Sequence, residues 1–126
     1  MTRKATSKKS EKQISPEWPV WYNPMAPLGS AVRYIASLSP HFNWVGIYHL
    51  KKKGLKLGPS IGTETRPEQT PMGSDVRRAL AIPILNPSGK PLGEIRIDKD
   101  ASATLEPKQE LSIRQIAERL GELWPE

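Results

Sequence analysis

Two stretches of this chain alternate apolar and polar positions on either side of a turn. In Ala79–Lys99, Leu80, Ile82 and Ile84 alternate with Ala79, Ala81 and Pro83. Asn86-Pro87-Ser88-Gly89 follows, and Gly93, Ile95 and Ile97 then alternate with Glu94, Arg96 and Asp98. Alternation flanking a turn rich in Asn, Pro and Gly predicts a β-hairpin. Upstream, Val45 and Ile47 alternate with Trp44, Gly46 and Tyr48 over Trp44–Leu50. Lys51-Lys52-Lys53-Gly54 makes a turn there, with the lysines as a solvated tip, and Leu55–Leu57 begins a second strand that Gly58-Pro59 ends. Ser60–Val76, with two prolines and little apolar content, reads as a long loop. Helical spacing appears twice: Leu28, Ala31, Val32, Ile35 and Leu38 before Ser39-Pro40, and Ile113, Ile116, Ala117, Leu120, Leu123 and Trp124 after Pro107.

These elements predict an α+β fold, an antiparallel β-sheet with the N- and C-terminal helices packed on one face. The helices carry the apolar stripes that can cover Val45, Ile47, Leu80, Ile82, Ile84, Ile95 and Ile97. The opposite face then carries Trp44, Tyr48, Ala79, Ala81, Glu94, Arg96 and Asp98. Glu94, Arg96 and Asp98 recur at i, i+2 and i+4, which permits two chemistries. Arg96 can clamp a carboxylate or phosphate beneath the Trp44 and Tyr48 rings, with the acids orienting it. Alternatively, the row is a solvated sheet face with weak in-strand ion pairs, the simpler account.

Composition narrows the chemistry. There is no cysteine, which removes disulfides, thiolate metal sites and thiol redox chemistry together. The formal net charge is +6, but Arg3, Lys4, Lys8, Lys9 and Lys12 stand against Glu11 alone before residue 16. The basic balance therefore describes residues 1–15, an expected disordered tail, more than a binding surface, and no nucleic-acid partner is expected. Residues 16–27 form a strap of prolines with Trp18, Trp21 and Tyr22, expected to lie across a groove of the domain at 28–126. No run is long and apolar enough for a membrane span, and a cytoplasmic location follows as the default expectation. His41 and His49 stand apart from any acid cluster, so no metal site, catalytic residue or cofactor is expected. Gly89-Lys90 lacks a phosphate-loop frame, with Ile84 in the first glycine position and Pro91 where Ser or Thr belongs.

Asn43-Trp44-Val45-Gly46-Ile47-Tyr48, Leu57-Gly58-Pro59, the ALAIPI…GKPLGEIRID hairpin and the closing helix together resemble a GAF domain. Within that superfamily, Leu28–Trp124 is most similar to the free methionine-R-sulfoxide reductases, which carry NWxGFY, LGP, S-E-I-V-x-P and G-x-x-I-G-V-L-D-I-D in the same order. The resemblance implies a reduced GAF-like fold and a pocket on the sheet face away from the helices, with Trp44 and Tyr48 at its aromatic positions. Departures from the family bear on activity. The family reduces its substrate with loop cysteines, which this chain lacks, and Ser60–Val76 is too short for those loops. Where the family binds the substrate amine with a glutamate and two aspartates, this chain has Ala79, Arg96 and Asp98. The expectation is a non-enzymatic module that binds a small molecule or a partner protein through Trp44, Tyr48, Ala79, Glu94, Arg96 and Asp98. The alternatives are a structural or dimerising remnant without ligand, and a nucleic-acid accessory protein acting through the tail. With the family's loops missing, the Trp18–Tyr22 strap is the expected cover for Trp44 and Tyr48, and a second subunit the other.

Overall fold

A computed structural model of the chain describes residues 18–62, 69–70, 80–100 and 104–125. The basic tail, Ala79 and most of the expected loop lie outside the described residues. The element order is α1 (Pro27–Ala36), β1 (Phe42–Lys51), β2 (Gly54–Gly62), β3 (Gln69–Thr70), β4 (Leu80–Leu85), β5 (Pro91–Lys99) and α2 (Pro107–Glu122). The strands form one five-stranded antiparallel sheet in the order β3-β2-β1-β5-β4.

Each element has a local cause. Pro27 opens α1, where a missing N–H costs nothing, and Pro107 does the same for α2. The Glu106 N–H donates to Gln109 Oε1 at 3.1 Å, and Gln109 Nε2 reaches the Leu38 carbonyl, tying the start of α2 to the chain leaving α1. In the β4–β5 turn, Asn86 Oδ1 accepts from the Ser88 N–H at 3.0 Å and the Lys90 N–H at 2.9 Å. That side chain holds the turn closed as a backbone carbonyl would. Pro83 lies within β4, which is tolerable because β4 is an edge strand.

Two expectations change. β2 does not end at Gly58-Pro59 but runs on to Gly62. Gly46 pairs with Ser60 and Tyr48 with Leu57, so Gly58 and Pro59 both stand opposite Ile47 in a bulge. A bulge leaves a residue outside the regular ladder, which is where a strand can carry proline. Part of the expected loop is also strand: Ser60–Gly62 belong to β2, and Gln69 and Thr70 pair with Lys56 and Leu55.

The core is the one the alternation predicts. Val45, Ile47, Ile82, Ile84, Ile95 and Ile97 pack against Leu28, Ala31, Val32 and Ile35 of α1 and Ile113, Ile116, Ala117 and Leu120 of α2, with Leu80 at the margin. Both helices therefore lie on one sheet face.

Candidate functional site

The face away from the helices is built by register. Trp44 stands opposite Asp98, Gly46 opposite Arg96 and Tyr48 opposite Glu94. Ala81 and Pro83 of β4 flank Arg96 and Glu94 on the other side. A Cβ at Gly46 would overlap the Trp44 indole, so the glycine gives that ring room to lie back over β1. The Trp44 and Tyr48 ring centroids are 6.4 Å apart. With Leu55 they form a second buried cluster, edged by Leu50 and Leu57.

Charge sits inside this cluster. Arg96 Nε donates to Glu94 Oε1 at 2.6 Å, and the Arg96 guanidinium lies 4.7 Å from the Tyr48 ring centroid. Glu94 is 4% exposed, Arg96 3%, Trp44 3% and Tyr48 1%. The row is therefore not the solvated sheet face that alternation favours: alternation says which side a residue takes, not whether that side is covered. Asp98 is half-buried at the open end of the row and is also engaged in an interaction. The structure thus brings Trp44, Tyr48, Glu94, Arg96 and Asp98 onto one face, while Ala79 lies outside the described residues. Leu55 is the member that sequence reasoning missed. Its alternation with Leu57 on the other side of Lys56 was the available signal.

The strap does not cover this face. The Tyr22 N–H donates to the Pro19 carbonyl at 3.0 Å, so the segment turns instead of extending. Trp21 stacks on Tyr34 of α1 at 6.4 Å between centroids and packs on the helix-side core. Trp21 thus has its apolar partner in Tyr34 of α1, and Trp18 meets Tyr22 within the strap. A second subunit is not needed either, because Trp44 and Tyr48 are buried within a single chain.

The histidines have separate surroundings. His41 Nδ1 lies 3.5 Å from Asp100 Oδ2, and Asn43 Nδ2 donates to the other oxygen of that carboxylate at 3.2 Å. His49 packs against Trp124 at 5.2 Å between ring centroids. Burial, and then the charge of Lys51, lower its pKa from the ordinary 6.5. Among the described residues no group of three or more His, Cys, Asp or Glu is placed to hold a metal, and no helix is long and apolar enough to cross a membrane.

No family model and no curated protein matches the chain in sequence. Its fold, however, is similar to solved structures. The type II free methionine-R-sulfoxide reductase from Thermoplasma acidophilum superposes with a TM-score of 0.63 at 22% identity, over 76% of this chain and 87% of that one. The fRMsr of Staphylococcus aureus in complex with substrate gives 0.65 at 16% identity, over 82% of this chain and 86% of that one. A GAF sensor protein from Burkholderia vietnamiensis gives 0.62 at 16% identity, over 79% and 74%. The chain has a GAF-like α+β fold, similar to that of the free methionine-R-sulfoxide reductases, and no cysteine.

Proposed function

We propose that this chain is a non-catalytic GAF-like module that binds a small molecule on the sheet face opposite the helices, at Trp44, Tyr48, Glu94, Arg96 and Asp98. The observation that carries the reading is the buried Glu94–Arg96 pair beneath Tyr48. Apolar residues of similar volume would make an equally stable or more stable core there, so buried charge calls for a use beyond packing. The non-catalytic part rests on the absent thiol: reducing a sulfoxide in the manner of the similar enzymes needs a thiolate to attack sulfur. Thiol-dependent turnover of free methionine-R-sulfoxide should stay at the no-protein level, and turnover above it would refute that part.

A second reading is a scaffold without ligand. Its support is the near-complete burial of Trp44, Tyr48, Glu94 and Arg96 in the single chain, as expected of a filled second core. Thermal melts across a panel of small metabolites separate the two. A ligand that binds only the folded chain raises Tm, with about 2.7 kcal/mol of added stability at a hundredfold excess over Kd. The binding reading expects such a rise, and its loss in a folded Arg96→Met variant. No rise with any compound, in a chain that also captures no partner protein, would leave the scaffold.

A further inference from the structure

The lysines of the β1–β2 turn and the β4–β5 turn are far apart in sequence and meet at one end of the sheet. Lys51 and Lys90 line a cleft of about 540 Å³ together with His49, Leu92, Trp124 and Pro125. Among the described residues no acidic side chain lines it. Lys52 and Lys53 cap the adjoining turn, and Lys56 stands opposite His49 in the β1–β2 register. Among the described residues none of these five lysines has a carboxylate within ion-pair distance. Glu122, two residues before Trp124, is paired with Arg119.

Two cations on one cleft wall, with three more on the adjoining turn and strand, repel one another, an arrangement that an incoming anion relieves. The floor adds a second requirement. Trp124 is half-buried against the core, braced from one side by the His49 ring, and still contributes to the cleft wall. A flat aromatic surface in one cleft with two lysines suits a ligand with a planar aromatic body and attached phosphates.

We propose that this cleft binds a phosphorylated nucleobase, either a free nucleotide or one unit of a single strand, with the base on Trp124 and the phosphates between Lys51 and Lys90. The site is no phosphate loop. It contacts phosphate through side-chain ammonium groups alone. It lies at the turn end of the sheet and its lining includes none of Trp44, Tyr48, Glu94, Arg96 and Asp98, so neither proposal depends on the other.

The test uses the full chain and two probes, ATP and a fluorescent single-stranded RNA dodecamer, with heparin as a polyanion that has no base. The expected result is saturable binding of at least one nucleotide probe, weakened tenfold or more by Lys51→Glu with Lys90→Glu and by Trp124→Leu. Preference for ATP identifies free nucleotide as the source, and preference for the RNA identifies a strand. For the RNA, losing two phosphate contacts should also flatten the slope of log Kd against log salt by about 1.4, at roughly 0.7 per contact. Lys90 is exposed in a turn, so the lysine variants test the site even where Trp124→Leu loosens the fold. Three outcomes would overturn the proposal: no binding of either nucleotide probe, binding untouched by the lysine variants, or heparin binding as tightly with no dependence on Trp124. The second would move the contact to the basic residues 1–15.

Discussion

At the scale of single residues, the buried pair has a signature distinct from that of a surface ion pair. Removing Arg96 strands the buried Glu94 carboxylate, so Arg96→Met should cost about 3–5 kcal/mol, and Glu94→Leu should cost less because Arg96 keeps a further interaction. The double variant leaves no stranded Glu94 carboxylate and should be less destabilised than the sum of the singles. Urea unfolding of the four proteins measures the coupling, and strict additivity would mean that the pair contributes nothing jointly. His49 gives a pH dependence of known sign. Burial favours its neutral form in the folded chain, and the Lys51 charge acts in the same direction. Below 6.5 the unfolded chain takes up a proton that the folded chain resists, so stability should fall as pH drops through 6.5 and on through the lower folded value. His49→Gln should remove this part of the acid loss, and Lys51→Gln should reduce it, in urea midpoints taken across the range. A His49 contribution that grows as pH falls would contradict the sign.

At the scale of elements, α2 meets the sheet through a contact that depends on one missing side chain. A Cβ on Gly121 would overlap the Leu85 carbonyl, a backbone atom that cannot rotate away. Gly121→Ala should therefore destabilise by about 3 kcal/mol, toward the upper end for overpacked cores, although alanine is the better helix former. A stabilised variant, measured by urea unfolding, would mean that α2 can slide off β4. The elements also show where sequence reading works. The β4–β5 hairpin was legible because period-two alternation persists on both sides of a turn whose Asn86 has an evident role. β2 was cut short because Gly58-Pro59 resembles a terminator, and a bulge opposite Ile47 leaves no mark in either strand's own sequence. β3, with two residues, is shorter than any period. Of the candidate site, its members were legible from their shared face, but their burial was not, since burial depends on chain that alternation does not describe. The lysine cleft was hidden for another reason: Lys51–Lys53 and Lys90 become neighbours only through the pairing of β1 with β5.

At the scale of the whole molecule, two layers of apolar packing share one sheet. The larger is made by both helices, and the smaller by Trp44, Tyr48 and Leu55 on the far side. Losing the smaller cluster should leave the helix-side core standing. Leu55→Ala should cost about 2–5 kcal/mol, the usual range for a fully buried leucine, without loss of helical circular dichroism in the native protein. Collapse of the helical signal along with the sheet would show that the two layers cannot be separated. The central position of β1 has a further consequence, for the order of assembly. β1–β2 and β4–β5 are hairpins whose ends meet early, on the microsecond scale. The seam between them joins Gly46 to Arg96 and Ile47 to Ile95, about fifty residues apart along the chain. Neither helix has a complete surface to settle on until that seam closes, so the entropy of the long closure falls due before most burial can offset it. The rate-limiting step of folding is then the meeting of two preformed hairpins. Shaving Ile47 or Ile95 to Val should slow refolding, whereas the same change at Ile113 should mainly hasten unfolding, and a pair of chevron plots would tell the two apart.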